Sequence, residues 1–159
     1  GRTKGALLEE YVKKRKPKTI LEVGALVGYS AILMARHMKG GKLTTIEIDR
    51  QNAMTARENA QRANLDHLIE VIEGDAIKIL PAMTGTFDMI FLDGKKEEYI
   101  KYFKALEKNM KRRTIVIADN VKIFEQKMKD YLDYVRKNKK YFSFTKDFGD
   151  DAMEVSVKK

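Results

Sequence analysis

The chain has 159 residues, enough to bury a full core, and contains no apolar run long enough to span a bilayer as a helix. It has no cysteine, which excludes disulfides, thiolate metal sites and cysteine nucleophiles, and its polar start shows no secretory signal, so the sequence reads as cytoplasmic. Its 32 basic and 23 acidic residues leave a net charge of +9, which favours anionic partners such as RNA, nucleotides or acidic metabolites but is also what solvated helix faces produce. Abundant lysine and glutamate without cysteine also fit a thermophile.

Apolar spacing predicts a first helix over residues 4–15, with Leu7, Leu8, Tyr11 and Val12 on one face and Pro17 ending it. A buried strand follows at 19–23, then a helix over 28–38 stopped by Gly40-Gly41. The second strand runs from Leu43 to Ile48, and Asp49 or Arg50 opens a helix to Ala63. Leu68 to Ile72 forms the third strand, with a short helix ending near Pro81. The fourth strand is Phe87 to Leu92, followed by a helix from Lys95 to Met110. Thr114 to Ala118 is the fifth strand, and Val121 to Asn138 is helical. Tyr141 to Lys146 and Ala152 to Val157 close the pattern as two strands. Such alternation predicts an α/β fold with a mainly parallel sheet. No linker or repeat divides the chain, so residues 1–159 read as one domain.

The chemistry-bearing residues fall at strand ends. Asp93 ends the run from Phe87, and Asp119-Asn120 ends the run from Thr114. On neighbouring parallel strands these groups lie side by side at the carboxyl edge, where open α/β sheets bind ligands. Three oxygen-bearing side chains, with Lys96 a turn beyond the first, point to a hard divalent cation beside a proton acceptor. Upstream, the first strand-to-helix turn carries Glu22, Gly24 and Gly28, a spacing that is not the dinucleotide fingerprint. Glycines there let a ligand approach the backbone, and Ser30 with the free amides of the next helix can hold a carboxylate. Glu47, at the end of the second strand, can accept hydrogen bonds from both hydroxyls of a ribose, and Gly74-Asp75-Ala76 would border an adenine ring. Each feature has a plain alternative: Asp93 as a helix cap, Asp119-Asn120 as a turn, Lys96 as a wet surface lysine, the glycines as tight turns. Taken together at successive strand ends, they favour a site. His37 and His67 have no metal-pair spacing, and the methionines read as core filler. Basic clusters at 13–16, 111–113 and 137–140 match no known nucleic-acid motif.

The segment Leu21-Glu22-Val23-Gly24-Ala25-Leu26-Val27-Gly28-Tyr29-Ser30 resembles the first motif of the class I S-adenosylmethionine-dependent methyltransferases, specifically the metal-dependent catechol and caffeoyl-CoA O-methyltransferase group. Phe91-Leu92-Asp93-Gly94-Lys95-Lys96 and Ala118-Asp119-Asn120-Val121 resemble the same group's metal and catalytic motifs. The resemblance implies a Rossmann-like methyltransferase fold: a seven-stranded, mostly parallel sheet with one final antiparallel strand and helices on both faces. It implies S-adenosylmethionine and Mg²⁺ as cofactors. Glu22, Gly24, Ala25, Gly28, Tyr29, Ser30, Glu47, Ile48, Asp75, Ala76 and Asp93 would surround S-adenosylmethionine. Asp93, Asp119 and Asn120 would bind the metal, with Lys96 as base. Lys96, Asn120, Phe124 and Asp151, with Asp150 as its rival, would meet the acceptor.

The sequence departs from the group's pattern in three places. It starts almost at Lys4-Gly5, where relatives carry additional N-terminal cap helices; it has no tryptophan wall; and it lacks the longer loop after Asn120, leaving Phe124 as a partial apolar wall. The expected activity is methyl transfer to a hydroxyl of a catechol-like small molecule. A tRNA-modifying enzyme acting on a hydroxylated uridine through the same metal site is the alternative, and a non-catalytic cofactor-binding domain is a second. The group's habit of dimerising adds a homodimer to the expected partners.

Overall fold

A computed structural model describes residues 3–159. The elements run α1 (Lys4–Arg15), β1 (Thr19–Val23), α2 (Tyr29–Ala35), β2 (Lys42–Glu47), α3 (Arg50–Arg62), β3 (Ile69–Glu73), α4 (Ala76–Ile79), β4 (Phe87–Leu92), α5 (Tyr99–Leu106), β5 (Met110–Ala118), α6 (Lys129–Lys137), β6 (Tyr141–Asp147) and β7 (Ala152–Lys158). They build one seven-stranded sheet in the order β3-β2-β1-β4-β5-β7-β6. Only β7 runs antiparallel to its neighbours, β5 and β6. This is the expected Rossmann-like methyltransferase architecture. Among the described residues no helix is long and apolar enough to cross a membrane.

Alternation along the strands sorts the core into two layers. In β4, Met89 and Phe91 face one way and Ile90 and Leu92 the other; in β5, Ile115 and Ile117 oppose Val116 and Ala118. One layer packs Leu7, Leu8 and Val12 of α1, Met34 of α2 and Ala60 of α3. The other packs Tyr99 and Phe103 of α5 and Tyr131 of α6, with edge-on ring contacts 5.6 to 5.8 Å between centroids. Strands buried on both faces read as the near-continuous apolar runs that the sequence shows.

Several boundaries differ from the sequence reading, each for a local reason. Residues 95–110 do not form one helix: a 3-10 turn at Lys96–Glu98 precedes α5, and Met110 already belongs to β5, paired with Phe87. Buried Asn109 ends that helix by donating to the carbonyls of Met83 and Gly85. The segment from Val121 is a turn and a 3-10 stretch until α6 begins at Lys129. The amides of Lys122 and Ile123 are drawn to the Asp151 carboxylate, and that of Val121 to the Ala152 carbonyl, so they cannot enter a helical ladder. The helix over 28–38 shortens to α2 (Tyr29–Ala35), followed by a turn.

Candidate active site

The register fixes the site. Val23 of β1 pairs with Leu92 of β4, and Leu92 with Ala118 of β5, so Gly24, Asp93 and Asp119 leave three adjacent strands at one level. The ladder continues one step further, with Asp93 N donating to Val23 O at 2.8 Å and Asp119 N to Leu92 O at 3.0 Å. Gly24 sits at φ +97°, and a Cβ there would lie 2.2 Å from the Asp93 carbonyl oxygen. Only glycine lets the ends of β1 and β4 stay that close. Strand order also reverses between β1 and β4, the switch point at which such sheets open a crevice.

Two clefts open there, sharing Gly24, Leu26 and Asp93. The larger, about 540 Å³, is lined by Glu47, Ile48, Asp75, Ala76 and Lys96 among others. The smaller, about 210 Å³, is lined by Ala25, Tyr29, Ser30, Asp119 and Lys4 among others. Glu47 accepts from Leu26 N at 2.7 Å and Asp49 N at 3.0 Å, and its carboxylate oxygens keep acceptor capacity towards the cleft. Tyr29 and Ile48 stand exposed on the rim.

Not every expected cofactor residue reaches these clefts. Glu22 is fully buried, accepting from Ser30 Oγ and, at 2.6 Å, from Thr45 Oγ1. Burial, eased by those two hydroxyls and reinforced by Asp93 and Glu47, pushes its carboxyl up to about 7. Glu22 is therefore a pillar behind the cleft wall. Gly28 starts α2 at φ +91°, where a Cβ would meet Ala56 of α3 at 3.3 Å, so it sets the packing of α3.

On the chemical side, Lys96 Nζ lies 3.2 Å from Asp93 Oδ1 and donates to Tyr99 Oη at 2.9 Å. Tyr99 Oη in turn donates to the Asp119 carbonyl at 3.1 Å. The Phe124 ring centroid is 5.9 Å from Lys96 Nζ. Burial first, and then the neighbouring Asp119 carboxylate, push the Asp93 carboxyl up to about 6, with Lys96 and Lys4 pulling the other way. Asn120 takes a left-handed backbone at φ +65° and donates through Nδ2 to Asp151 Oδ2 at 2.8 Å.

The expected acceptor contact Asp151 is 2% exposed and heavily engaged: Lys4, Asn120 and the amides of Lys122 and Ile123 all donate to it. Burial works to raise its pKa, but Lys4, the Ile123 and Ala152 amides and Asn120 more than offset this and hold the carboxyl at about 2. It organises the loop after β5 and does not line either cleft.

Lys4 and Tyr99 went unassigned in the sequence. Lys4 Nζ bridges Asp151 and Asp119, the latter at 2.8 Å. Burial lowers its pKa, but the two carboxylates outweigh burial and leave it raised. One signal was present: a cation in the first turn of a helix opposes the helix dipole and needs a partner elsewhere. For Tyr99 the signal was its i,i+3 spacing from Lys96.

The donor chemistry suits a hard cation. Two carboxylates, close enough that Asp119 raises Asp93, and one amide supply only oxygen ligands to a metal. Among the described residues no three Asp, Glu, His or Cys side chains form a metal-holding group, so the Asn120 amide would be the third donor.

The sequence model of a family described as O-methyltransferase matches residues 1–158. The chain belongs to this O-methyltransferase family. It is 40% identical over 122 residues to a catechol O-methyltransferase of Niastella koreensis, covering 74% of this chain and 55% of that protein. To caffeoyl-CoA O-methyltransferase 2 of Populus trichocarpa it is 33% identical over 123 residues, covering 73% of this chain and 50% of the relative. The chain thus spans about half the length of these two family members. Among solved structures, the Bacillus cereus O-methyltransferase in complex with SAH superimposes with a TM-score of 0.91 at 28% identity, covering 100% of this chain and 82% of that one. A Streptomyces achromogenes O-methyltransferase of tomaymycin synthesis, in complex with SAM, gives 0.87 at 27%, covering 97% and 78%.

Proposed function

We propose that this family member is an S-adenosylmethionine- and Mg²⁺-dependent O-methyltransferase that acts on a catechol-like small molecule. The observation that carries this reading is the junction of Asp93, Asp119 and Lys96 at the switch point, one step from the cofactor-side turn at Gly24. The relatives named for catechol and caffeoyl-CoA methylation, and the neighbours holding SAH and SAM, support the acceptor class and the cofactor.

Glu47 takes the ribose hydroxyls, Asp75 and Ala76 border the adenine, and Gly24, Ala25, Tyr29 and Ser30 face the methionine part. Asp93, Asp119 and Asn120 hold the metal. When bound, S-adenosylmethionine would supply the methyl group from a sulfonium that departs as a neutral thioether, and Mg²⁺ would supply the charge that acidifies and fixes an acceptor hydroxyl. Lys96, positioned by Asp93 and Tyr99, would receive the hydroxyl proton as the free amine, once Asp93 has turned to the cation, and Phe124 would give an aromatic acceptor an apolar surface beside it. Positioning and fixed charge account for most of the acceleration.

The charge surplus does not argue for RNA as acceptor at this site, because three basic runs gather at the other edge of the sheet. A non-catalytic role leaves the convergence of Asp93, Lys96 and Asp119 without a purpose.

The test is methyl transfer from labelled S-adenosylmethionine to catechol, with Mg²⁺ and then with a chelator, for the wild type and Asp119→Ala. Chelator-sensitive transfer, abolished by the substitution while cofactor binding persists, is the expected result. Transfer that ignores the chelator, or a parallel loss of cofactor binding, overturns the metal assignment.

A further inference from the structure

A groove of about 1130 Å³, larger than either active-site cleft, lies away from the active site. It lies at the amino edge of the sheet, where Asp88 follows the first residue of β4, the irregular start of β5 loops out, and β7 ends beside β6. Asp93 lies five positions after Asp88, so this edge is about 16 Å from the metal site along β4.

Three basic runs separated in sequence converge on it: residues 14–16 at the end of α1, 111–113 at the start of β5, and 158–159 at the end of β7. They bring eight cationic side chains to a groove lined by one carboxylate, in a chain whose whole net charge is +9. That carboxylate, Asp88, is already engaged by Lys111 at 2.6 Å and by the amides of Lys18 and Thr19. Like charges are pressed together: Arg15 Nη1 donates to the Arg113 carbonyl at 2.7 Å, and burial and then the Arg113 cation lower the Arg15 pKa. A folded chain holds such a cluster at an electrostatic cost that a polyanion would relieve.

The floor is not merely charged. Phe142 on edge strand β6 is 59% exposed, and its ring lies 5.5 Å from that of Phe144, which also lines the groove. Cations that track a backbone beside an exposed aromatic platform are what single-stranded nucleic acid needs: phosphates are neutralised and a base stacks. Polypeptide polyanions and lipid headgroups offer charge but no planar bases. We propose that this groove binds single-stranded nucleic acid, with Phe142 as a stacking platform, at the edge of the sheet opposite the catalytic centre.

Fluorescence anisotropy with a labelled uridine-rich RNA 12-mer tests this. With about five phosphates neutralised, affinity should fall about a hundredfold between about 50 and 200 mM salt. The triple variant Lys14→Glu/Arg112→Glu/Lys159→Glu, at three exposed positions, should weaken binding at least tenfold while its melting temperature and S-adenosylmethionine binding stay unchanged. Phe142→Ser should weaken RNA binding about fivefold or more and leave binding of polyglutamate unaltered. No RNA binding at low salt, or wild-type affinity in the triple variant, overturns the site. Binding of polyglutamate or anionic vesicles as tight as RNA, or an RNA affinity indifferent to Phe142→Ser, overturns the assignment to nucleic acid.

Discussion

Replacing Glu22 by glutamine should stabilise the fold at alkaline pH and not at acid pH. Glu22 is fully buried and its carboxyl is pushed up to about 7 from the ordinary 4.5, burial being the largest cause. A carboxyl raised in the folded state supports the fold fully below the unfolded value and loses that support as pH climbs through the folded one. The difference between 4.5 and about 7 corresponds to about 3 kcal/mol, all of it lost by about pH 8. Glutamine keeps the shape and stays neutral. Ser30 and Thr45 now donate to the carboxylate, and one of them must turn to accept from the new amide, at about 1 kcal/mol. The expected balance at pH 8 is a gain of about 2 kcal/mol, or about 4–8 °C in melting temperature for a chain of this size. At pH 4 the same variant should be equal to the wild type or about 1 kcal/mol weaker. Melting curves of both proteins across this range measure the difference of differences, in which all other titrating groups cancel. An equal effect of Glu22→Gln at pH 4 and pH 8 would refute the buried, proton-holding pillar.

Tyr99→Phe removes the hydroxyl that links Lys96 to the Asp119 carbonyl. It should lower turnover about ten- to hundredfold through a loosened Lys96, with cofactor affinity unchanged; full turnover would reduce Tyr99 to packing. Gly24→Ala drives a methyl group into the Asp93 carbonyl at a backbone angle that alanine resists. Titration calorimetry should show S-adenosylmethionine binding weakened at least tenfold, alongside a lower melting temperature, and unchanged values for both would mean that β1 and β4 part easily.

Much of this was legible because strand ends are. Asp93, Asp119 and Gly24 follow buried apolar runs, and parallel register aligns the residues just beyond them, so one strand order places all three. The pairing of Lys4 with Asp151 was not legible, since they stand 147 positions apart and nothing local to either names the other. The same carboxylate explains why the segment after Asn120 is not a helix. Its amides look helical by pattern, yet they bond to a carboxylate that arrives from the start of β7. Glu22 was read as a cofactor contact because it adjoins the glycine turn, but strand alternation sets its side chain against Thr45, inside the wall. Two of the three basic clusters read in the sequence, 13–16 and 111–113, meet at the groove; the third, 137–140, does not line it, and Lys158-Lys159 was not singled out. Only the sheet brings residues 14–16, 111–113 and 158–159 to one edge.

The seam at Gly24 and Asp93 separates β1 to β3 from β4 to β7; between strands the chain crosses it from β3 to β4, and Lys4 of α1 also reaches the far half. Both halves line the larger cleft, with Glu47, Asp75 and Ala76 from one and Asp93, Lys96 and Tyr102 from the other, while Lys4 and Asp119 meet at the smaller. A change of length between Asp93 and Lys96 would therefore reshape the cleft that Glu47 and Asp75 also line. A single hydrogen in place of a side chain at position 24 keeps the two halves of the sheet in register.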